Sequence, residues 1–370
     1  MSEWKEYKLG ELTIDGKGHY GIAAPAVEYD SSKYTYLRIT DINDDGTLNK
    51  CGLKSVSDAK AKDFLLRPND IVFARTGASV GRSYFYDGKD GELVYAGFLI
   101  MFRLDPEKVC PYIIKAYTHS QEYYDWIRAV DNGATRGNIN AQTFASMPIV
   151  LPPLDEQKRI AGVLSALDDK IDLLHRENAT LEALAETLFR HYFIENPNPE
   201  WKEGKLGELI EVKYGKDHKK LGDGSIPVIG SGGIMRYADK ALFDGESVLI
   251  PRKGSLDNVM YIDEPFWTVD TMFYTKMKIP HVAKFVYQFM KTLDLVNMNV
   301  GSAVPSMTAE VLNNIPLEIP SQAALDDYER VVAPFYKKTK SNQQQMQTLT
   351  AQRDALLPSL MSGEVNVVAY

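Results

Sequence analysis

The chain has 370 residues, of which 44% are apolar and 25% charged; at about 150 residues per domain that length predicts two or three folded units. The balance excludes a mostly disordered or collagen-like chain, and the longest apolar run, Val94 to Phe102, is about half of a bilayer span, so no membrane protein is expected. A net charge of −8 excludes nucleic-acid binding by bulk positive charge, and the two cysteines, Cys51 and Cys110, show no CxxC or histidine cluster that would mark a zinc site or disulfide framework. The N-terminus shows no apolar core of a secretory signal, which predicts a cytoplasmic location.

In chain order, the first feature is "WKEYKLGEL", Trp4 to Leu12, which returns as "WKEGKLGEL", Trp201 to Leu209, with eight of nine residues identical. Strand signals follow in "YTYLRITDI", "DIVFARTG", "SYFYDG" and "LVYAGFLIMFRL", and then a helix over "YIIKAYTHSQEYYDWIRAV" after Pro111. The segment "NGATRGNINAQTFASMPIVLPP", Asn132 to Pro153, is echoed by Val300 to Ser321. The offset between copies is 197 at their start and 168 at their end, so the first copy holds 29 residues more within a shared frame. The second copy repeats the order of elements, with strands in "SVLIPRKG" and "WTVDTMFYTKM" and a helix over "VAKFVYQFMKTLDLV". Each copy therefore reads as a strand-rich α+β unit. Both are near neutral: residues 1–153 carry 18 Lys and Arg against 20 Asp and Glu, and residues 196–320 carry 14 against 16.

Between the copies the apolar period changes. Ile160, Leu164, Leu167, Ile171, Leu174, Asn178, Leu181, Ala185, Leu188 and Tyr192 form a heptad seam, and about 33 helical residues make a rod of roughly 50 Å. Adding 168 gives a second seam of Tyr328, Val332, Phe335, Thr339, Asn342, Met346, Leu349, Arg353, Leu356 and Leu360, with a kink expected at Pro334. Chain topology favours an antiparallel pair of rods. Setting the two seam asparagines opposite each other gives facing numbers that sum to 520 and also faces Tyr192 with Tyr328; a buried Asn178–Asn342 pair would fix the register. Leu173, Leu184 and Phe189, apolar and opposite the seam, form a strip that either offers a docking surface for partner subunits or packs on the neighbouring unit.

Enzyme chemistry is not encoded in a recognisable form. No (D/N/S)PP(Y/F/W) turn of adenine methyltransferases, no GxGxxG, no GxxxxGK(S/T) and no GxSxG occurs, and the histidines are scattered singly. Candidate DNA-binding residues cluster instead at strand ends. Arg75 and Arg82 lie in "FARTGASVGRS", Arg252 and Lys253 in "IPRKGSLDN", Lys216, Lys219 and Lys220 beside Tyr214, and Arg136 with Asn138 in "GATRGNIN". Glycines in such loops admit a phosphate to backbone amides, and arginine can read guanine.

The repeated "WKE(Y/G)KLGEL", the junction "NINAQTFASMPIVLPPLDEQKRIAGVLSALDDKIDLL" and the closing "QRDALLPSLMSGEV" resemble the specificity subunit of type I DNA restriction-modification systems. The second junction, "IPSQAALDDYERV", departs from the first in lacking the double proline and the Glu-Gln pair. The resemblance implies two strand-rich α/β target recognition domains in tandem, residues 1–153 and 196–320, joined by helical spacers 154–195 and 321–362 that form an antiparallel coiled coil with pseudo-twofold symmetry, and a tail 363–370. It implies a non-catalytic subunit that reads a bipartite target in double-stranded DNA, one half per domain. Its expected partners are two methyltransferase subunits and two restriction/translocase subunits. No cofactor is expected on this chain, with S-adenosylmethionine, ATP and Mg on the partners. The alternative is a coiled-coil interaction scaffold without DNA specificity.

Overall fold

The computed structural model describes residues 4–131, 138–254, 256–298, 307–365 and 367. It divides into two compact units, the first formed by residues 1–173 with 345–370 and the second by residues 174–344. Each unit holds one strand-rich body and its share of two long helices.

The repeated opening motif closes each body, and the pairing explains why nearly every letter recurs. Lys5–Lys8 pairs antiparallel with Pro148–Leu151, Lys5 opposite Leu151. Lys202–Lys205 pairs with Pro316–Ile319 in the same register, Lys202 opposite Ile319. The helical turn that follows is fastened by its glutamate, since Glu11 accepts from the Lys8 backbone N–H at 2.8 Å and Glu208 from that of Lys205 at 2.9 Å. Leu9, Leu12, Leu206 and Leu209 are buried. A Cβ on Gly10 would lie 2.8 Å from the Gly16 carbonyl oxygen, so this crossing admits only glycine. The closing echo is also built alike: Asn140 caps Ala141–Ala145, and Thr308, 168 residues later, caps Ala309–Asn313.

Within the first body, a four-stranded antiparallel sheet runs His19–Tyr20, Leu99–Arg103, Asp70–Ala74, Ser83–Tyr86. The second body repeats that order with Ile210–Tyr214, Met272–Met277, Ser247–Pro251 and Met260–Ile262. A second sheet in each, four-stranded in the first body and three-stranded in the second, contains one parallel pair, Tyr34–Leu37 with Leu93–Tyr95 and Ile226–Gly230 with Trp267–Thr268. The first body has an additional strand there, Ala26–Val27, which absorbs part of its extra length.

The helix expected after Pro111 is two, Pro111–Tyr117 and Gln121–Asp131. The break is local chemistry: Thr118 Oγ1 donates to the Lys115 carbonyl at 2.8 Å and Ser120 Oγ accepts from the Tyr123 N–H at 3.2 Å, an alternative to helical backbone pairing.

The long helices span Leu154–Phe189, continued by a π-helical turn Arg190–Glu195, and Gln322–Met361. The first begins six residues before the seam, because Gln157, buried at its start, accepts from the Cys110 N–H at 2.9 Å and donates to the Pro152 carbonyl at 2.8 Å. In the second copy Leu325 takes the equivalent place and is buried without polar partners to satisfy, which accounts for the altered junction. The second helix runs unbroken through Pro334, whose ring faces solvent.

Antiparallel packing is seen within each unit. In the second, Asn342 is fully buried and donates to Asn178 Oδ1 at 2.8 Å and to Glu177 at 2.9 Å, and the rings of Tyr192 and Tyr328 lie 6.0 Å apart. In the first, Arg353, a polar intruder in its seam, bonds Asp168 at 3.0 Å. Asp168 also receives Lys115 at 2.7 Å and the Tyr112 hydroxyl. Burial pushes the Asp168 carboxyl up, but these partners outweigh it and hold it below the ordinary value. One expectation is corrected: Phe189 is not part of an exposed strip. It is 1% exposed and packs on Phe193 and Phe285 at 5.5 and 5.6 Å, because the globular body of the second unit covers that face of the helix. Leu173 and Leu184 are 48% and 45% exposed.

Candidate nucleic-acid interface

In the first unit a clasp forms where strand His19–Tyr20 ends. Gly21 donates its N–H to the Leu99 carbonyl at 3.1 Å, and a Cβ there would lie 2.2 Å from the Ala96 carbonyl oxygen. Only glycine allows the chain to cross so closely. Arg75, next after strand Asp70–Ala74, donates its N–H to the Phe98 carbonyl at 3.1 Å, and its own carbonyl accepts from Ile139 at 2.9 Å. Its guanidinium lies over the Tyr20 ring, 4.8 Å from the centroid, and its Nε and Nη2 donate to Asn138 Oδ1 at 3.2 and 3.0 Å. Gly77 completes the turn with φ of +75°, a backbone region closed to most side chains.

The second unit builds the same object from the same residue types. Gly215 donates to the Met272 carbonyl at 3.0 Å and a Cβ on it would lie 2.0 Å from the Val269 carbonyl oxygen. Arg252 donates its N–H to the Thr271 carbonyl at 2.8 Å and accepts from Met307 at 3.0 Å. Its guanidinium sits 5.3 Å from the centroid of Tyr214, and Nη1 donates to the Asp270 carbonyl at 3.2 Å. Gly254 has φ of +86°. Tyr20 and Tyr214 are 43% and 52% exposed, so each clasp lies at the surface.

The remaining sequence candidates divide. Arg82 is spent on its own fold, bonding Asp44 at 2.6 Å and the Ile42 carbonyl at 3.2 Å. Lys216, Lys219, Lys220 and Lys253 are exposed, and none has an ion pair among the described residues. Lys216 is tied to the clasp neighbourhood through its backbone, its N–H donating to Thr268 at 2.9 Å and its carbonyl accepting from Trp267 Nε1 at 2.9 Å. Arg136 lies outside the described residues. Sequence reasoning missed Tyr20 and Phe98 and treated Tyr214 only as a neighbour of lysines; the signal was the dipeptide Tyr-Gly recurring at Tyr20-Gly21 and Tyr214-Gly215. Among the described residues no group of three or more His, Cys, Asp or Glu is placed to hold a metal ion, and no helix is long and apolar enough to cross a membrane.

Comparison with known proteins places the chain in a family. The family model described as type I restriction modification DNA specificity domain matches residues 1–183 and 198–351. The chain is 24% identical over 363 residues to the type I restriction enzyme MjaIX specificity subunit of Methanocaldococcus jannaschii, covering 85% of this chain and 83% of that one. It is 26% identical over 204 residues to the HindI specificity subunit of Haemophilus influenzae, across 53% of this chain and 42% of the relative. The crystal structure of a type I restriction-modification S subunit from M. genitalium superposes with a TM-score of 0.60 at 19% identity, covering 97% of this chain and 96% of the other, so the two share a fold. The chain thus belongs to the type I restriction modification DNA specificity domain family.

Proposed function

We propose that this chain is the non-catalytic recognition subunit of a type I restriction-modification complex and reads a two-part target in double-stranded DNA, one half-site per strand-rich body. The observation that carries the reading beyond family membership is the Arg-on-Tyr clasp built at the equivalent surface position of both bodies. Two like surfaces, each with a cation, a π-face and glycine-opened backbone, suit two like stretches of duplex. The recognition domains are residues 1–153 and 196–320, with helical spacers 154–195 and 321–362. Asn178 and Asn342 hold the helical pair in register, so that it fixes the gap between half-sites; a rod of roughly 50 Å corresponds to about 14 base pairs. Lys216, Lys219, Lys220 and Lys253 add phosphate contacts. Leu173 and Leu184 are surfaces for methyltransferase subunits, two per complex, with two restriction/translocase subunits beyond them, in the cytoplasm. The net charge of −8 fits a subunit whose partners supply much of the phosphate grip.

The test is selection from a random pool of DNA duplexes by the complex reconstituted with its methyltransferase subunit. Enrichment of one gapped motif, with binding that weakens steeply as salt rises, is the expected result. A complex that enriches no motif contradicts it and leaves the scaffold reading.

A further inference from the structure

The clasps are alike in frame and unlike in two positions, and that contrast divides labour among their residues. Arginine, tyrosine and both glycines recur, with the same backbone bonds. The residue whose carbonyl receives the arginine N–H differs, being Phe98 in the first unit and Thr271 in the second. The residue between the arginine and the left-handed glycine also differs, Thr76 against Lys253. Phe98 is 61% exposed, and the bond it gives the clasp is made by its backbone carbonyl. A large apolar side chain left exposed on the residue that holds the arginine backbone has the character of a contact surface.

The arginines recur in the same setting in both clasps, so what they touch is common to both half-sites. Arg75 uses its Nε–H and one Nη2–H on Asn138, and Arg252 one Nη1–H on the Asp270 carbonyl, which leaves outward N–H groups on each braced guanidinium. A fixed cation that is alike in both clasps suits a phosphate oxygen, which is the same at every step of a duplex. Resting on the DNA-recognition reading above, we infer that Arg75 and Arg252, braced on Tyr20 and Tyr214, are common phosphate anchors, whereas Phe98 with Thr76 and Thr271 with Lys253 are specificity-determining positions of the first and second half-site. Phe98 offers apolar contact to a thymine methyl group or a base face, and Lys253 a donor to the guanine edge.

The test uses the reconstituted complex, random duplex selection and salt titration of binding to the selected duplex. Phe98→Thr is expected to change base preference about tenfold or more at a position of one half-motif, leaving the other half and the salt dependence as they were. Thr271→Phe should do the same in the opposite half. Arg75→Ala should keep the motif while reducing the slope of log affinity against log salt by about 0.9, and Arg75→Lys should keep the slope. Phe98 is exposed, so its variant folds; circular dichroism and melting check this. A Phe98→Thr complex that selects the parental motif, or an Arg75→Ala complex that selects a different one, overturns the assignment while the parental motif still upholds DNA recognition. A parental complex that selects no motif overturns both.

Discussion

Methionine in place of Lys284 is expected to destabilise the second unit by about 3 kcal/mol, read as an earlier transition in urea titration of the full chain. Lys284 is 4% exposed and lies on helix Ala283–Lys291, where its ammonium donates to Glu246 at 2.6 Å and to Glu329, on the second long helix, at 2.8 Å. The rings of Tyr261 and Tyr336 flank it at 5.3 and 5.6 Å. Methionine fills the same space but leaves two carboxylates facing each other's neighbourhood without a cation, and removing one partner of a buried pair typically costs about 3–5 kcal/mol. The lower end applies because the Glu246 side chain is 38% exposed. The effect has a pH signature. Burial pushes the Glu246 carboxyl up, yet bonds from Lys284 and the Tyr261 hydroxyl outweigh burial and hold it below its ordinary 4.5. Its contribution to stability is therefore present above 4.5 and lost as pH falls through the lower folded value. The gap between the two proteins should accordingly narrow on acidification below 4.5. A variant as stable as the parent at pH 7, within 1 kcal/mol, would contradict the role given to this lysine.

Alanine at Asp70 is the counterpart in the first unit, with an expected loss of about 3–5 kcal/mol. Asp70 is fully buried at the start of the central strand, accepts from Arg103 Nε and Nη2 at 2.7 and 2.9 Å, and accepts from the Arg67 backbone N–H at 2.8 Å. Alanine strands both an arginine and a backbone donor. Asp70→Asn keeps the shape and one acceptor and should recover part of the loss. Since Asp70–Ala74 also presents Arg75, the alanine variant should loosen the first clasp and leave the second unit's melting unchanged. Loss of cooperativity in both units together would argue against two separate cores.

The parts of this fold that were readable in sequence are those in which one copy checks the other. The motif opening at Trp4 and the segment ending at Pro153 recur because they pair with each other in the same register in both bodies. The heptads were readable because helix packing has one period. What escaped depends on contacts between distant residues. Tyr20 meets Arg75 where Gly21 crosses so close to Ala96 that an added Cβ would lie 2.2 Å from its carbonyl oxygen, and no spacing rule announces that crossing. Phe189 has the pattern of a solvent-facing residue until Phe285, nearly a hundred positions later, covers it. The helix break at Thr118–Ser120 turns on two hydroxyls that could as well have faced water.

The two bodies are proposed to read two halves of one DNA target. Single-molecule sequencing of adenine methylation in the source cell, with and without this gene, tests it most directly. Loss of methylation on deletion, confined to one gapped motif whose two halves differ, is the result the account predicts. A methylome unchanged by deletion, in cells that express the methyltransferase partner, would contradict it.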